Sequence, residues 1–258
     1  DYEFAATPQE MHDAVERIGY PCVVKAPTSK DGEGFSFVHS DADLADAWRA
    51  ADRGLGQGAV VERFIDFDFE VTILAARSID PSTGELATWF CEPIGTRHRE
   101  GRLVESWQPA PLPEAAMDNA RSIAARIVGA LASCGIFSVE MFVSGDDVYF
   151  SQVTPRPSRD GLVTFVTQRI NQFDLQAHAT QRLPIDSTLI SPGAVRFLEG
   201  HPSHAALAAA MAVEEVTVRM LGDGTLVLAT ADSAAEARQR TDEAVREIYR
   251  VDGKPGEN

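Results

Sequence analysis

Apolar positions in this 258-residue chain recur with two periods, and the switches between them predict its elements. Thr7 is placed to cap a helix, with Pro8 at its first position and Glu10 three residues after the cap. Met11, Ala14, Val15 and Ile18 then repeat at helical spacing, and Gly19 stops the run. Residues 21–25 (PCVVK) read as a short buried strand ending in lysine. A polar, glycine-bearing stretch, TSKDGEG, separates it from a second strand, FSFV. A helix is expected over 41–51, and strands over 59–65, 67–79 and 87–93. The longest amphipathic helix is expected over 113–133, with Ile123, Ile127, Val128 and Leu131 on one stripe. A hairpin follows at 136–154, then a helix at 172–180. The chain closes with strands at 215–221 and 225–230 and a helix at 233–249. This mixture predicts an α+β fold with antiparallel sheets.

Composition narrows the function classes. Hydrophobic residues are 44% and charged residues 24% of the chain, ordinary for a globular protein. No apolar run is long enough to cross a bilayer, so no membrane partner is expected. The net charge of −16 argues against nucleic acid held by bulk electrostatics. It leaves room for a small anion held by local cations and a metal. Cys22, Cys91 and Cys134 are widely spaced and form no metal pattern, which reads as buried reduced thiols. Residue 1 is Asp and no signal-peptide pattern is present. The expectation is a cytoplasmic chain with further sequence upstream.

The segment IFSVEMFVSGDDVYFSQVTPRP carries the most chemistry. With a three-residue loop at 145–147, Ser144 pairs with Val148, Phe142 with Phe150, Glu140 with Gln152 and Ser138 with Thr154. Glu140 and Gln152 then share one face, and Phe137, Val139, Met141 and Val143 take the other. Opposed side chains stand roughly 5 Å apart at Cβ, close enough for two oxygen donors to share a hard cation. By itself the pattern also suits an ordinary half-exposed hairpin. Pro155-Arg156-Pro157 stiffens the exit and holds a guanidinium near the Glu140 face, which suits a phosphate gaining charge.

Five pieces in order, Lys25, TSKDGEGFSFV, VVERFIDFDFE, ESWQP and the hairpin, resemble the ATP-grasp superfamily. Their spacing is most similar to the formate-dependent phosphoribosylglycinamide formyltransferases. The resemblance implies two α+β lobes at 1–66 and 67–190 that enclose ATP, with a small C-terminal α/β subdomain at 191–258. It implies that Lys25 contacts the ATP phosphates and that Lys30, Asp31, Gly32, Glu33, Gly34 and Phe35 fold over the triphosphate. Glu62, Arg63, Phe64 and Ile65 would hold the adenine and Glu70 the ribose. Glu140 and Gln152 would ligate Mg²⁺, and Arg156 would act with Lys25 on the transferred phosphoryl group. Arg97, Arg159 and Asp160 are the substrate candidates. The partners implied are formate or another small carboxylate, an amine acceptor, and a second copy in a homodimer.

Four features depart from that pattern. Gln152 stands where the family has Glu, giving an oxygen but no charge. Asp31 and Glu33 place negative charge in the triphosphate loop. MLGDGTLVLAT is short and carries no cation where the family grips a ribose phosphate, and Asp160 is displaced relative to the family's Asp. The family's N-terminal domain is absent from these residues. Two other readings therefore stand beside the enzyme: a catalytically impaired nucleotide-binding paralogue, and a specialised-metabolism ligase whose acceptor lacks phosphate.

Overall fold

The computed structural model describes residues 1–28, 34–99, 101–131, 133–222 and 224–253. In chain order the elements are β1 (Tyr2–Ala5), α1 (Pro8–Ile18), β2 (Cys22–Lys25), β3 (Ser36–Val38), α2 (Leu44–Asp52), β4 (Ala59–Arg63), β5 (Phe69–Ile79), β6 (Leu86–Phe90), β7 (Ile94–Arg99) and β8 (Arg102–Gln108). They continue as α3 (Glu114–Ala130), β9 (Gly135–Ser144), β10 (Asp147–Thr154), α4 (Thr164–Thr167), α5 (Gln172–Gln181), β11 (Gly193–Glu199), α6 (His204–Ala210), β12 (Val216–Leu221), β13 (Gly224–Thr230) and α7 (Ala234–Asp252). Two compact units result. Unit 1 is Asp1–Asp66 with His98–Arg102, and unit 2 is Phe67–Arg97 with Leu103–Asn258.

Unit 1 is a four-stranded sheet in the order β1-β4-β2-β3. The cap of α1 forms as its residue types require: Thr7 Oγ1 accepts from the Glu10 N–H at 3.2 Å, and the Glu10 carboxylate accepts from the Ala6 N–H at 2.8 Å. Met11, Ala14 and Val15 of α1 and Ala47 and Ala51 of α2 pack on Val24, Val38, Ala59 and Val61. Strand alternation therefore turns Val23, Lys25, Phe37 and Glu62 to the helix-free face.

In unit 2 a nine-stranded sheet runs β10-β9-β5-β7-β8-β11-β13-β12, with β6 pairing β5. Residues 191–258 extend this same sheet, because β11 pairs with β8 from Gly193↔Gln108 to Arg196↔Glu105. One face is covered by α3, through Val71, Ile73, Val139 and Met141, and by α7, through Leu198, Val227 and Val245. The opposite face buries Leu74, Ile94, Ile136, Val195 and Leu228 against Leu162, Val163 and Leu175. Polar groups that enter this second core are paired. Gln172 is fully buried; its side chain accepts from the Ser158 N–H at 3.0 Å and donates to the Ser158 carbonyl at 2.8 Å.

The hairpin differs from the sequence expectation near its tip. Asp147 pairs with Ser144, Tyr149 with Phe142 and Phe150 with Met141, so the turn holds two residues, Gly145 and Asp146, rather than three. Gly145 takes φ +58°, which suits a tight turn. A β-bulge between Phe150 and Gln152 then restores the register, and Gln152 faces Glu140 and Thr154 faces Ser138 as expected.

Candidate functional site

In unit 1 the expected nucleotide residues cluster on the helix-free face. Val23 lies opposite both Glu62 and Phe37, so these three form one row across the sheet. Lys25, diagonal to Glu62, donates to its carboxylate at 2.6 Å, and both side chains are about one-third exposed. The sequence reading gave these two residues separate contacts; in the structure they hold each other. Phe37 meets Phe35 edge-on at 4.9 Å and Phe64 at 5.9 Å, which makes an aromatic surface beside that ion pair. Arg63 departs from the expectation. It pairs with Cys22, a core residue of the helix-covered side, so alternation turns it away from Glu62. Ile65 follows the strand and is half-buried.

Gly34 is fixed by geometry. Its φ is +77°, and a Cβ there would stand 2.8 Å from Ala26 Cβ and 3.0 Å from the Ala50 carbonyl. Its carbonyl accepts from the Ala26 N–H at 3.0 Å, closing a loop directly after Lys25. Lys30, Asp31, Gly32 and Glu33 of that loop lie outside the described residues.

In unit 2 the expected metal and ribose residues share one sheet face. Thr72, Glu140 and Gln152 form a row across β5, β9 and β10, and Glu70 lies opposite both Phe142 and Thr96 in the next. Gln152 Nε2 donates to the Glu140 carboxylate at 2.7 Å. A carboxylate and an amide oxygen at this separation are hard donors suited to Mg²⁺, once the amide turns its oxygen inward. Among the described residues, one group of three His, Asp or Glu side chains stands close together, His12, Asp13 and Glu16 on α1, well away in sequence from this pair.

The segment after the hairpin crosses this face, anchored at each step. Ser138 and Ser158 share a hydrogen bond at 2.8 Å between their hydroxyls. Asp160 is buried; its carboxylate accepts from Thr72 Oγ1 at 3.0 Å, and its carbonyl accepts from Ser106 Oγ at 3.1 Å. Asp160 thus stands beside the Glu140 row. Arg156 is exposed and donates to the Pro157 carbonyl at 3.0 Å. The Arg159 guanidinium lies 5.3 Å above the Phe197 ring. Thr72, Ser106, Ser158 and Gln172 hold this segment, and sequence reasoning gave none of them that role; the hint was a polar residue inside apolar strand β5.

Arg97 is not part of this group. Thr96 shares the face of Glu70, so its neighbour Arg97 turns to the face covered by α3 and α7. There its Nε lies 2.9 Å from the Glu105 carboxylate, which Arg238 of α7 also grips with two hydrogen bonds of 2.8 and 3.0 Å. The Arg238 guanidinium stacks 3.9 Å above the Trp107 ring, and Gly95 lies under the same indole. Glu105 is 1% exposed, a buried anion that needs both partners. The ESWQP motif is therefore a framework. Glu105 and Trp107 bind α7, Ser106 binds the Asp160 segment, and Gln108 donates to the Glu92 carbonyl at 2.6 Å.

Cys22 and Cys91 are core residues. Burial pushes the Cys91 thiol up to about 12, which keeps it protonated and unreactive, and burial also raises Cys22.

The ATP-grasp domain matches residues 1–173. The chain belongs to the ATP-grasp family. Its relatives include formate-dependent phosphoribosylglycinamide formyltransferases from Corynebacterium jeikeium, 50% identical over 260 residues, and from Paraburkholderia xenovorans, 40% identical over 269. The alignments take in 94% and 98% of this chain and 63% and 67% of those proteins. The chain thus spans a little under two thirds of the first of these. Among solved ATP-grasp-like structures, glycinamide-RNase-transformylase T from Mycobacterium tuberculosis superposes with a TM-score of 0.79 at 36% identity. That superposition covers 96% of this chain and 66% of the other. An N5-carboxyaminoimidazole ribonucleotide synthetase solved as its ADP complex shares the fold, with a TM-score of 0.83 at 22% identity over 98% of this chain and 67% of the other. Among the described residues no helix is long and apolar enough to cross a membrane.

Proposed function

We propose that this chain is the ATP-handling part of a formate-dependent phosphoribosylglycinamide formyltransferase. The observation that carries the reading is the row Thr72–Glu140–Gln152, which sets two oxygen donors together beside a buried Asp160. Relatives of that name at up to 50% identity point the same way.

In this reading Lys25 leaves Glu62 for the ATP phosphates, and Glu62, Phe64 and Ile65 hold the adenine. Glu70 takes the ribose hydroxyls. Glu140 and Gln152 would hold Mg²⁺, which supplies charge neutralisation to the phosphates. A formate oxygen attacks the γ-phosphorus, the bond to the β-phosphate oxygen breaks, and ADP leaves. The acceptor amine then attacks the carbon of formyl phosphate, loses a proton and expels phosphate. Arg156 supplies positive charge to the oxygens of the transferred group. Asp160 is a substrate-side carboxylate within reach of the acceptor. The protein's contribution is position and fixed charge rather than covalent chemistry.

The test is ADP release measured with formate and phosphoribosylglycinamide supplied together and singly. ADP release that needs formate, is sustained over many turnovers when the acceptor is also present, and falls at least about 100-fold in Glu140→Ala is expected, the last from the loss of a metal-borne charge. ADP release indifferent to formate would end the reading.

A further inference from the structure

Glu140 stands in its row between two neighbours of different character. On β10 it faces Gln152, an amide, and on β5 it faces Thr72, on which Asp160 rests. The Glu140–Gln152 pair offers a hard cation two oxygens but a single negative charge, one short of the family's two carboxylates. Asp160 is the next carboxylate along this row. Its Oδ2 accepts from Thr72 Oγ1 at 3.0 Å, and Thr72 directly opposes Glu140, with Cβ atoms roughly 5 Å apart. The order across this face is therefore Gln152, Glu140, Asp160.

The position of Asp160 is built rather than incidental. The residue is buried, and its carbonyl accepts from Ser106 Oγ at 3.1 Å. Two residues earlier, Ser158 is held by Gln172 at both its N–H and its carbonyl, and by Ser138 at its hydroxyl. Ser138 lies two residues before Glu140 on β9, so it shares the face of Glu140. The same strands that present the Glu140 row thus fix the carboxylate beside it, before any ligand arrives.

We infer that Asp160 supplies the Mg²⁺ site with the negative charge that Gln152 does not. Mg²⁺ dehydrates reluctantly and keeps several of its waters, so a carboxylate one side chain beyond the first ligand acts on the ion through one of them. The charge missing from β10, the edge strand, returns at β5, two strands further in. The inference deepens the reading above and rests on its metal assignment, not on the identity of the acceptor. It adds to the substrate-side place already given to Asp160.

Calorimetric titration of Mg²⁺ into the full chain, with a non-hydrolysable ATP analogue bound, tests this. Asp160→Asn keeps an oxygen for the Thr72 hydroxyl and removes the charge, and Mg²⁺ affinity should fall about 10- to 100-fold. Adding Gln152→Glu to that variant should return the affinity to near the wild-type value, because the charge is put back on the other side of Glu140. Should Asp160→Asn fail to fold, Thr72→Val, which removes the hydroxyl that aims the carboxylate, takes its place, with a fall of about tenfold expected. Unchanged Mg²⁺ affinity in the variant tested would overturn the inference. So would a loss in Asp160→Asn that Gln152→Glu leaves in place, the mark of a merely structural role, and so would a wild type that takes up no Mg²⁺ with the analogue. Formate-independent ADP release by a wild type that does bind Mg²⁺ ends the formyl-transfer reading alone and leaves this titration standing.

Discussion

At the scale of single residues, charge is the variable that the site leaves adjustable. In the proposed reading Glu140 and Gln152, whose side chains meet at 2.7 Å, would be the two metal ligands, a carboxylate and an uncharged amide. Gln152→Glu should therefore tighten Mg²⁺ binding in the presence of an ATP analogue, by about tenfold, since each added carboxylate charge strengthens a hard-cation site. Calorimetric titration of the metal reads this directly, and weaker binding would show that the amide is the better ligand here. A second expectation concerns the thiols. Cys22 and Cys91 are buried and their thiols raised, whereas Cys134 is only partly buried. Iodoacetamide at pH 8 should label Cys134 alone in the native protein, and all three cysteines in urea, as mass spectrometry would record. The sequence singles out Lys25, Glu62, Glu70 and Glu140 as residue types suited to a nucleotide and a metal. What they touch was not legible there. The Lys25–Glu62 pair joins diagonal neighbours of two strands 37 positions apart, and Thr72 reads as one more β-branched residue until Asp160 arrives on it.

At the scale of elements, amphipathic helices and hairpins were readable, and strands buried on both faces were not. β11 has no alternation to detect, because six of its seven residues are buried. β7 and β8 were hidden for another reason. Their charged residues, which suggest a surface loop, turn out to bind α7, and Arg97 was misplaced on that account. The hairpin tip was misread because a bulge cannot be seen in a repeat of apolar positions, although the Glu140–Gln152 pairing survived it. One substitution probes the β7–β8 packing. A Cβ on Gly95 would lie 2.2 Å from the Trp107 indole, on which the Arg238 guanidinium stacks. Gly95→Ala should cost about 1–3 kcal/mol by forcing the ring out of place. Urea unfolding measures it, and a neutral result would mean that the indole is free to move.

At the scale of the whole molecule, the large sheet divides the labour of unit 2. One face carries Glu70, Glu140 and Asp160, and the other carries the ionic network around Glu105. Removing Arg238 should accordingly act on stability before chemistry. Arg238→Ala should lower stability by about 3 kcal/mol, with Arg97 as the remaining partner, while the KM values of correctly folded enzyme stay close to wild type. Differential scanning calorimetry and kinetics on the same sample separate the two effects, and a KM change at unaltered Tm would reverse the assignment. Glu105 and Arg238 are 133 positions apart in the chain. During synthesis on the ribosome, the carboxylate is made long before its main partner. Until α7 has left the exit tunnel, β8 cannot bury Glu105 fully compensated. A nascent chain halted before residue 233 should stay sensitive to protease, and one in which α7 has emerged should become resistant, so that β8 gains its protection only when α7 arrives.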